Sequence, residues 1–439
     1  MHEQLSFEEA MDFLRERTRF GINLGLRRIE KLLAKMGNPH QKQVKYIHIG
    51  GTNGKGSTLA YLAKILQYAG YRVGTFISPH LHHYTERMRI NGQDIPQQKV
   101  AKLVSDIKPL LEEMEAEGCE PPTEFEVNTA MALQYFTDEQ VDYALLEVGM
   151  GGAIDSTNVI VPELSVITNV AMDHMDYIGK TITEIAQTKS GIIKEKKPII
   201  TGSRHSDALR VLREKAAACH APLFIQGEDF DWESRKKNGC CQEAEFVYPE
   251  GRIPFAIKML GRYQLDNCAL AMMAAKCLGI SNDYLISRAV FDTVWPGRLE
   301  IISENPLIIL DGAHNTAGMA SLAEALQEYW PDHKIVAVLG MLADKERKQA
   351  LKQLLPLIQE AIITKVPCTR AGNWKHLAEI CEEYRVPCQT VEMVDEACTA
   401  GMAALTEILE PNKLLLVTGS LYMIADARAY LLQEYHADY

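Results

Sequence analysis

The sequence predicts an α/β protein of two domains, the first built on a mostly parallel sheet and the second smaller. Three observations carry this reading. A glycine-rich loop joins a β-rich run to an amphipathic stretch, apolar runs of strand length alternate with helical patterns, and the alternation restarts near residue 297. Residues 44–49 (VKYIHI) form the first strand and stop at Gly50-Gly51. Beyond the loop, Leu59, Leu62, Ala63 and Leu66 recur at i, i+3, i+4 and i+7, the spacing of a helix with one apolar face, and Gly70 ends it. Residues 72–77, 141–148, 164–170 and 197–201 are further strands. Their continuous apolar character, rather than strict alternation, implies a parallel sheet covered on both faces. The stretch 226–251 is polar, with Trp232, Lys236, Lys237, Asn238 and Gly239, and is read as hairpins or loops. A helix containing residues 267–276 follows and ends near Gly279.

The pattern restarts near Trp295-Pro296-Gly297-Arg298, and Pro296-Gly297 is read as the hinge, which places the domains at 1–297 and 298–439. A strand at 307–310 runs into Asp311-Gly312-Ala313-His314-Asn315, and Met319, Leu322, Ala323 and Leu326 mark the next helix. Residues 335–339, 361–365 and 414–417 complete the second set of strands. The expected fold is therefore a P-loop-type sheet domain followed by a smaller Rossmann-like α/β domain.

With 439 residues, the chain can bury a large core without disulfides or metal staples. Forty-six basic against 58 acidic side chains give a net charge of −12, which argues against a broad nucleic-acid or anionic-membrane surface. A small basic pocket for an anionic substrate is still allowed. No run approaches the roughly 18 apolar residues of a membrane span. The mixed, charged N-terminus does not read as a signal peptide. The ten cysteines include no C-x-x-C, and reduced thiols in a cytoplasmic protein are expected; vicinal Cys240-Cys241 sit in a polar stretch with no catalytic context.

The loop Gly50-Gly51-Thr52-Asn53-Gly54-Lys55-Gly56-Ser57-Thr58 carries the sharpest chemistry. Glycines let backbone N–H groups approach a phosphate, the helix adds its positive end, and Lys55 adds a full charge. The loop departs from G-x-x-x-x-G-K-[ST]: Ile49 stands at the first glycine, and Gly56 separates Lys55 from Ser57. Glu147 ends an apolar strand, where a carboxylate beside a phosphate loop suits Mg²⁺. Spacing alone assigns no role to His174, since Mg²⁺ prefers oxygen, or to Lys189, by default a surface lysine.

Ten motifs in order, GTNGKGS (51–57), SPHL (78–81), ERMRING (86–92), PTEFE (122–126), LLEVGMGG (145–152), DSTN (155–158), TKSGIIK (188–194), GR (297–298), DGAHN (311–315) and TGSLY (418–422), resemble the folylpolyglutamate synthase/dihydrofolate synthase family, the folate branch of the Mur ligase superfamily. The resemblance implies two α/β domains with ATP held between them. By position it places Gly54, Lys55, Gly56 and Ser57 on the triphosphate, and Asn267, Arg298 and Asp311 on the nucleotide, with His314 near the phosphates. Two Mg²⁺ sites are implied, Ser78 with Glu147 and Glu147 with His174, and Lys189 matches the family lysine that is carbamylated. Thr123, Glu124, Phe125 and Glu126, with Ile154, Asp155 and Ser156, match segments contacting the pterin-bearing substrate, and Ser420 lies near the glutamate end.

The implied reaction is ATP-driven addition of L-glutamate to dihydropteroate or reduced folates through an acyl phosphate. It implies Lys55, Lys189 and His314 as catalytic residues and a cytoplasmic monomer with small-molecule substrates, no nucleic acid and no membrane. Two departures stand out. Where the family carries arginine after its double glycine, this chain has Ala153, so either a contact to the acceptor loop through Asp155 is lost or Arg87 or Arg89 supplies the charge. The tail from Leu421 to Asp426 is also less like the family than the core. The alternatives are a Mur-type ligase acting on a non-folate carboxylate, a P-loop kinase, and a catalytically impaired folate- or nucleotide-binding homologue.

Overall fold

The structure, a computed structural model, describes residues 4–21, 23–238, 241–408 and 411–435; Gly239 and Cys240 lie outside them. Two compact units emerge. One comprises Met1–Lys236, Glu243–Ala256 and Asp266–Thr293, the other Lys237–Gln242, Ile257–Leu265 and Val294–Tyr439.

The first unit holds a sheet of eight strands: β1 (Lys45–Gly50), β2 (Val73–Phe76), β3 (Met88–Ile90), β4 (Gln93–Asp94), β5 (Tyr143–Glu147), β6 (Leu164–Ile167), β7 (Ile199–Thr201) and β8 (Leu223–Ile225). Their order is β4-β3-β2-β5-β1-β6-β7-β8; the run from β2 to β8 is parallel, and β3 and β4 are antiparallel at one edge. Strands β5 and β6 are buried throughout, and of β1 only Lys45 is exposed, which is why these strands read as continuous apolar runs. The run 164–170 is cut at Ile167 because Thr168 turns to serve the glycine loop, its amide donating to the Gly50 carbonyl. The helix Lys55–Tyr68 buries Leu59, Leu62 and Leu66 as spaced, and its far side is covered by the helix Asp283–Phe291.

Two N-terminal helices, Phe7–Glu16 and Arg27–Lys35, put Ala10, Leu14, Ile29, Leu32 and Leu33 into the same core as the helices Gln97–Ala116 and Glu124–Asp138. The polar stretch becomes three strands, β9 (Asp231–Asn238), β10 (Cys241–Tyr248) and β11 (Gly251–Ile257), ordered β11-β10-β9. In β10 alternate residues Gln242, Ala244 and Phe246 are buried, so one face is covered even though the composition is polar. The next helix, Arg262–Cys277, contains the expected 267–276 and extends it by a polar first turn, RYQLD, that shows no apolar period.

The second unit's sheet contains β12 (Glu300–Glu304), β13 (Leu307–Asp311), β14 (Lys334–Leu339), β15 (Ile358–Thr364), β16 (Cys388–Val391) and β17 (Lys413–Thr418), ordered β12-β13-β17-β14-β15-β16. Only β12 is antiparallel to its neighbour. All the parallel strands point one way, so the loops after β13, β14, β15 and β17 gather at one edge, where open α/β sheets bind ligands.

Gly74 lets the helix Glu124–Asp138 lie close on β2: a Cβ there would stand 2.6 Å from the fully buried Phe136 ring. Gly74→Ala should therefore destabilise the protein by about 1–3 kcal/mol, read as a lower midpoint in urea at unchanged slope. An unmoved midpoint would mean that the ring can shift without loss.

Candidate active site

The glycine loop is held by a second segment. Thr52 N donates to the Asn169 carbonyl at 3.0 Å, and Ala171 N to Thr52 Oγ1 at 3.0 Å. Asn53 is clasped by Asn169, its amide donating to Asn169 Oδ1 at 3.0 Å while Asn169 Nδ2 donates back to the Asn53 carbonyl at 3.1 Å. Thr168 Oγ1 donates to that same carbonyl at 2.6 Å. Gly54, at φ 84, caps the helix Lys55–Tyr68 in the left-handed region. No side chain fits there, since a Cβ would stand 2.2 Å from Asn267 Oδ1. That contact sets Asn267 against the loop. Ser57 is buried in the first helical turn, and Lys55 Nζ donates to the Thr52 carbonyl at 3.2 Å and lies 3.9 Å from Glu147.

Register pairing sets Glu147 opposite Ile49, at the loop's root. It is buried and accepts from Ser78 N at 3.4 Å, so Ser78, Lys55 and Glu147 converge. His174 takes φ 50 at the start of the helix Met175–Ile178, with its Nε2 3.8 Å from Asp173. Lys189 is no surface lysine: it ends the helix Ile182–Lys189, is buried, and donates to the Gly51 carbonyl at 2.9 Å. Burial, helped by Lys55, pushes its pKa down to about 7 against the fields of Asp173 and Asp155. Among the described residues no three His, Cys, Asp or Glu side chains group as a metal site. The expected set contains one carboxylate, one imidazole, a hydroxyl and an amine.

The segments assigned to the acceptor lie at the same C-terminal end of β5 as Glu147, with Phe125 against Gly149 just beyond it. Thr123 and Glu126 form the capping box of the helix Glu124–Asp138, and Arg28 Nε donates to Glu126 at 3.1 Å. Phe125 stacks on Phe76 with centroids 5.8 Å apart and lies against Gly149, while Glu124 accepts from Asn128 at 3.2 Å. Ile154 accepts from Gly25 N at 3.3 Å, and Ser156 Oγ is 3.0 Å from Thr129 Oγ1.

Asp155 is buried and meets neither Arg87 nor Arg89. Arg87 is directed to His80 and Glu124, and Arg89 to Asp94 and Glu86, so the suggestion that one of them replaces the absent arginine at Asp155 is not supported. Asp155 accepts instead from Met150 N at 2.7 Å, from Thr157 N at 3.0 Å and from the Thr157 hydroxyl. Burial raises its pKa, and these bonds oppose the rise. Because the Thr157 hydroxyl donates to Asp155, it must accept from His48, whose Nε2 is 2.8 Å away. The proton is then on Nε2, and the buried Nδ1, which has no hydrogen-bond partner, is a bare lone pair. Burial keeps this ring neutral, its pKa pushed down to about 3. Nothing local in the sequence marks His48 or Arg28; their partners Thr157 and Glu126 lie far along the chain.

The second unit carries the remaining predicted residues. Asp311 is buried and accepts from Leu299 N and Ala313 N, both at 2.8 Å; burial raises its pKa, and Arg298 opposes the rise. The Arg298 guanidinium lies over Gly312, where a Cβ would stand 2.6 Å from Nη1. His314 Nδ1 is 2.8 Å from the Gly312 carbonyl, and Ser420 is buried just after β17.

A phosphate loop with a buried carboxylate at its root, in a chain that also carries a second parallel sheet, has clear counterparts. Residues 49–275 match the Mur ligase middle domain and residues 297–421 the Mur ligase glutamate ligase domain, which defines the class as a Mur-type ligase. The chain is 34% identical to the dihydrofolate synthase/folylpolyglutamate synthase of Bacillus subtilis, over 97% of this chain and 99% of that protein. Its fold matches the Mycobacterium tuberculosis folylpolyglutamate synthase complexed with ADP at a TM-score of 0.91 and 27% identity, covering 97% and 98% of the two chains. It matches Escherichia coli FolC in complex with DHPP and ADP at 0.87 and 27%, again over 97% and 98%. The chain belongs to the dihydrofolate synthase/folylpolyglutamate synthase family.

Two expectations follow. Thr157→Val leaves both His48 Nε2–H and Asp155 short of a partner and should cost about 1–3 kcal/mol, whereas Thr157→Ser should retain most of the stability; equal urea midpoints for the two variants would refute the chain of bonds. Lys189 has a folded pKa of about 7 against an ordinary 10.5, so at neutral pH unfolding takes up a proton. The buried amine therefore weakens the fold fully below about pH 7, and the penalty fades as pH rises towards 10.5. Lys189→Met should raise the melting temperature more at about pH 6 than at about pH 9 in CO₂-free buffer, and a pH-independent difference would contradict this burial.

Proposed function

We propose that the protein is an ATP-dependent ligase that joins L-glutamate to dihydropteroate or reduced folates, and that it works in the cytoplasm, where its cysteines stay reduced. The observation that carries the reading is the convergence of Lys55, Glu147, Ser78 and buried Lys189 on one glycine loop. A carboxylate is a poor electrophile, so it must first be activated. The acceptor's carboxylate attacks the γ-phosphorus of ATP, and ADP leaves. The glutamate amine then attacks the acyl phosphate carbonyl, loses a proton, and inorganic phosphate leaves.

The protein's task is to hold several anions together. The amides of Gly54, Lys55, Gly56 and Ser57 and the Lys55 ammonium receive the triphosphate, and Lys55 follows the charge as it moves onto the leaving ADP. Asn267, Arg298 and Asp311 are assigned to the nucleotide. Phe125 and the Ile154, Asp155 and Ser156 segment are assigned to the pterin end of the acceptor, where Thr123 and Glu126 fix the helix start and Glu124 offers a carboxylate. His314, whose Nδ1 lies 2.8 Å from the Gly312 carbonyl, is assigned to the phosphates. Ser420 is assigned to the glutamate end.

Mg²⁺ would be held by Ser78 and Glu147, and a second ion by Glu147 and His174. The donor set fits poorly while Lys189 is an amine and well once it carries a carbamate, because the added carboxylate supplies an oxygen anion beside Glu147's loop. The low pKa of Lys189 keeps about half of it in the neutral form that can take up CO₂ near neutral pH. Bound Mg²⁺ supplies charge neutralisation for the phosphates.

ADP release by the purified protein with ATP, Mg²⁺ and L-glutamate should depend on added acceptor, and comparing dihydropteroate with tetrahydrofolate decides which it prefers. ADP release indifferent to both acceptors would refute the reading. Lys55→Ala should lower turnover by about 10²–10³-fold with little change in melting temperature; near-normal turnover in a folded variant would remove Lys55 from the chemistry.

A further inference from the structure

Arg347 is buried, yet each hydrogen bond recorded for its guanidinium goes to a main-chain carbonyl. Nε donates to Leu342 at 3.0 Å, Nη1 to Asn373 at 2.6 Å, and Nη2 to both Met341 and Ala371 at 2.7 Å. Met341 and Leu342 belong to the loop after β14, and Ala371 and Asn373 to the segment after β15. Four converging carbonyls cannot bond one another, and only a planar fork of donors can satisfy them together. The two loops are further joined by Ala343 N donating to the Arg370 carbonyl at 2.9 Å and by an Asp344–Arg370 ion pair.

What this clasp holds is the wall behind Ser420. Gly340 N donates to the Thr418 carbonyl at 3.3 Å, and Gly419, at φ 117, lies so close that a Cβ would stand 2.5 Å from the Gly340 carbonyl oxygen and 3.0 Å from Met341 Cγ. The main chains of Gly340 and Gly419 meet directly, so a displacement of residues 340–341 passes to Gly419 and Ser420. We propose that Arg347 is a positioning residue for the amino-acid substrate: by clasping the loops after β14 and β15 it fixes the backbone against which Ser420 presents the glutamate end of the site. The inference rests on the ligase reading given above. It concerns a residue outside the nucleotide, metal and acceptor sets.

The test is steady-state ADP release by the parent, Arg347→Lys and Arg347→Met, with L-glutamate and then ATP titrated at saturating levels of the other substrates, alongside melting temperatures. Arg347→Met should raise the glutamate KM at least tenfold and leave the ATP KM within about twofold. Arg347→Lys, which keeps the charge but not the fork, should fall between and serves alone if the Met variant does not fold. A purely structural residue would lower the melting temperature without separating the two KM values; an unchanged glutamate KM in a folded variant, or equal rises in both constants, overturns the proposal. A parent enzyme whose ADP release ignores glutamate would instead overturn the ligase reading.

Discussion

The arrangement of the first unit depends on the hydrogen bonds between residues 50–54 and residues 168–171. A glycine-rich loop free in solution would lose much entropy on being fixed. Here Thr168 and Asn169 satisfy the loop's inward-facing polar groups. The same bonds explain why β6 ends early and why β1 must be central: its two neighbours, β5 and β6, deliver Glu147 on one side and the clasping segment on the other.

Around that clasp the unit tolerates buried polarity only where each group has a defined partner. Asp155 is satisfied by amides and a hydroxyl rather than by a cation, so its burial does not depend on an arginine at position 153. The short residue has its own use: Ala153 packs within 2.4 Å of where a side chain on Gly191 would begin, and its amide donates to the Thr188 carbonyl at 2.8 Å. The loop after β5 is thereby held directly to the residues on either side of Lys189. Lys189 and Arg347 solve the opposite problem, a buried cation with carbonyl oxygens for partners.

Both α/β sheets were legible because long buried strands and the loop-to-helix transition are local patterns. Motif order singled out Gly54, Lys55, Glu147 and Lys189, and the fold brings all four to the glycine loop. What escaped was whatever depends on distant pairing. Strands β3, β4 and β8 are two or three residues long and have no period to read. His48 looks like one more residue of a strand until Thr157 faces it, and Arg28 like a surface charge on a helix until Glu126 does. Arg347 sits in a run of charged residues, DKERK, whose composition suggests solvent, and only the curvature of two loops turns it inwards. Lys189 was placed by its motif, whereas its burial follows from packing.

The contact between Gly54 and Asn267 has a bearing on how the protein is made. The phosphate loop leaves the ribosome early, but the side chain that closes over its turn, and the helix Asp283–Phe291 that shields the following helix, are synthesised much later. Until then the nascent chain carries an uncovered glycine turn and an apolar helix face with nothing to pack against. The glycine loop can therefore complete its packing only after residue 291 has been made, and until then it shares the exposure of apolar surface common to partly synthesised chains.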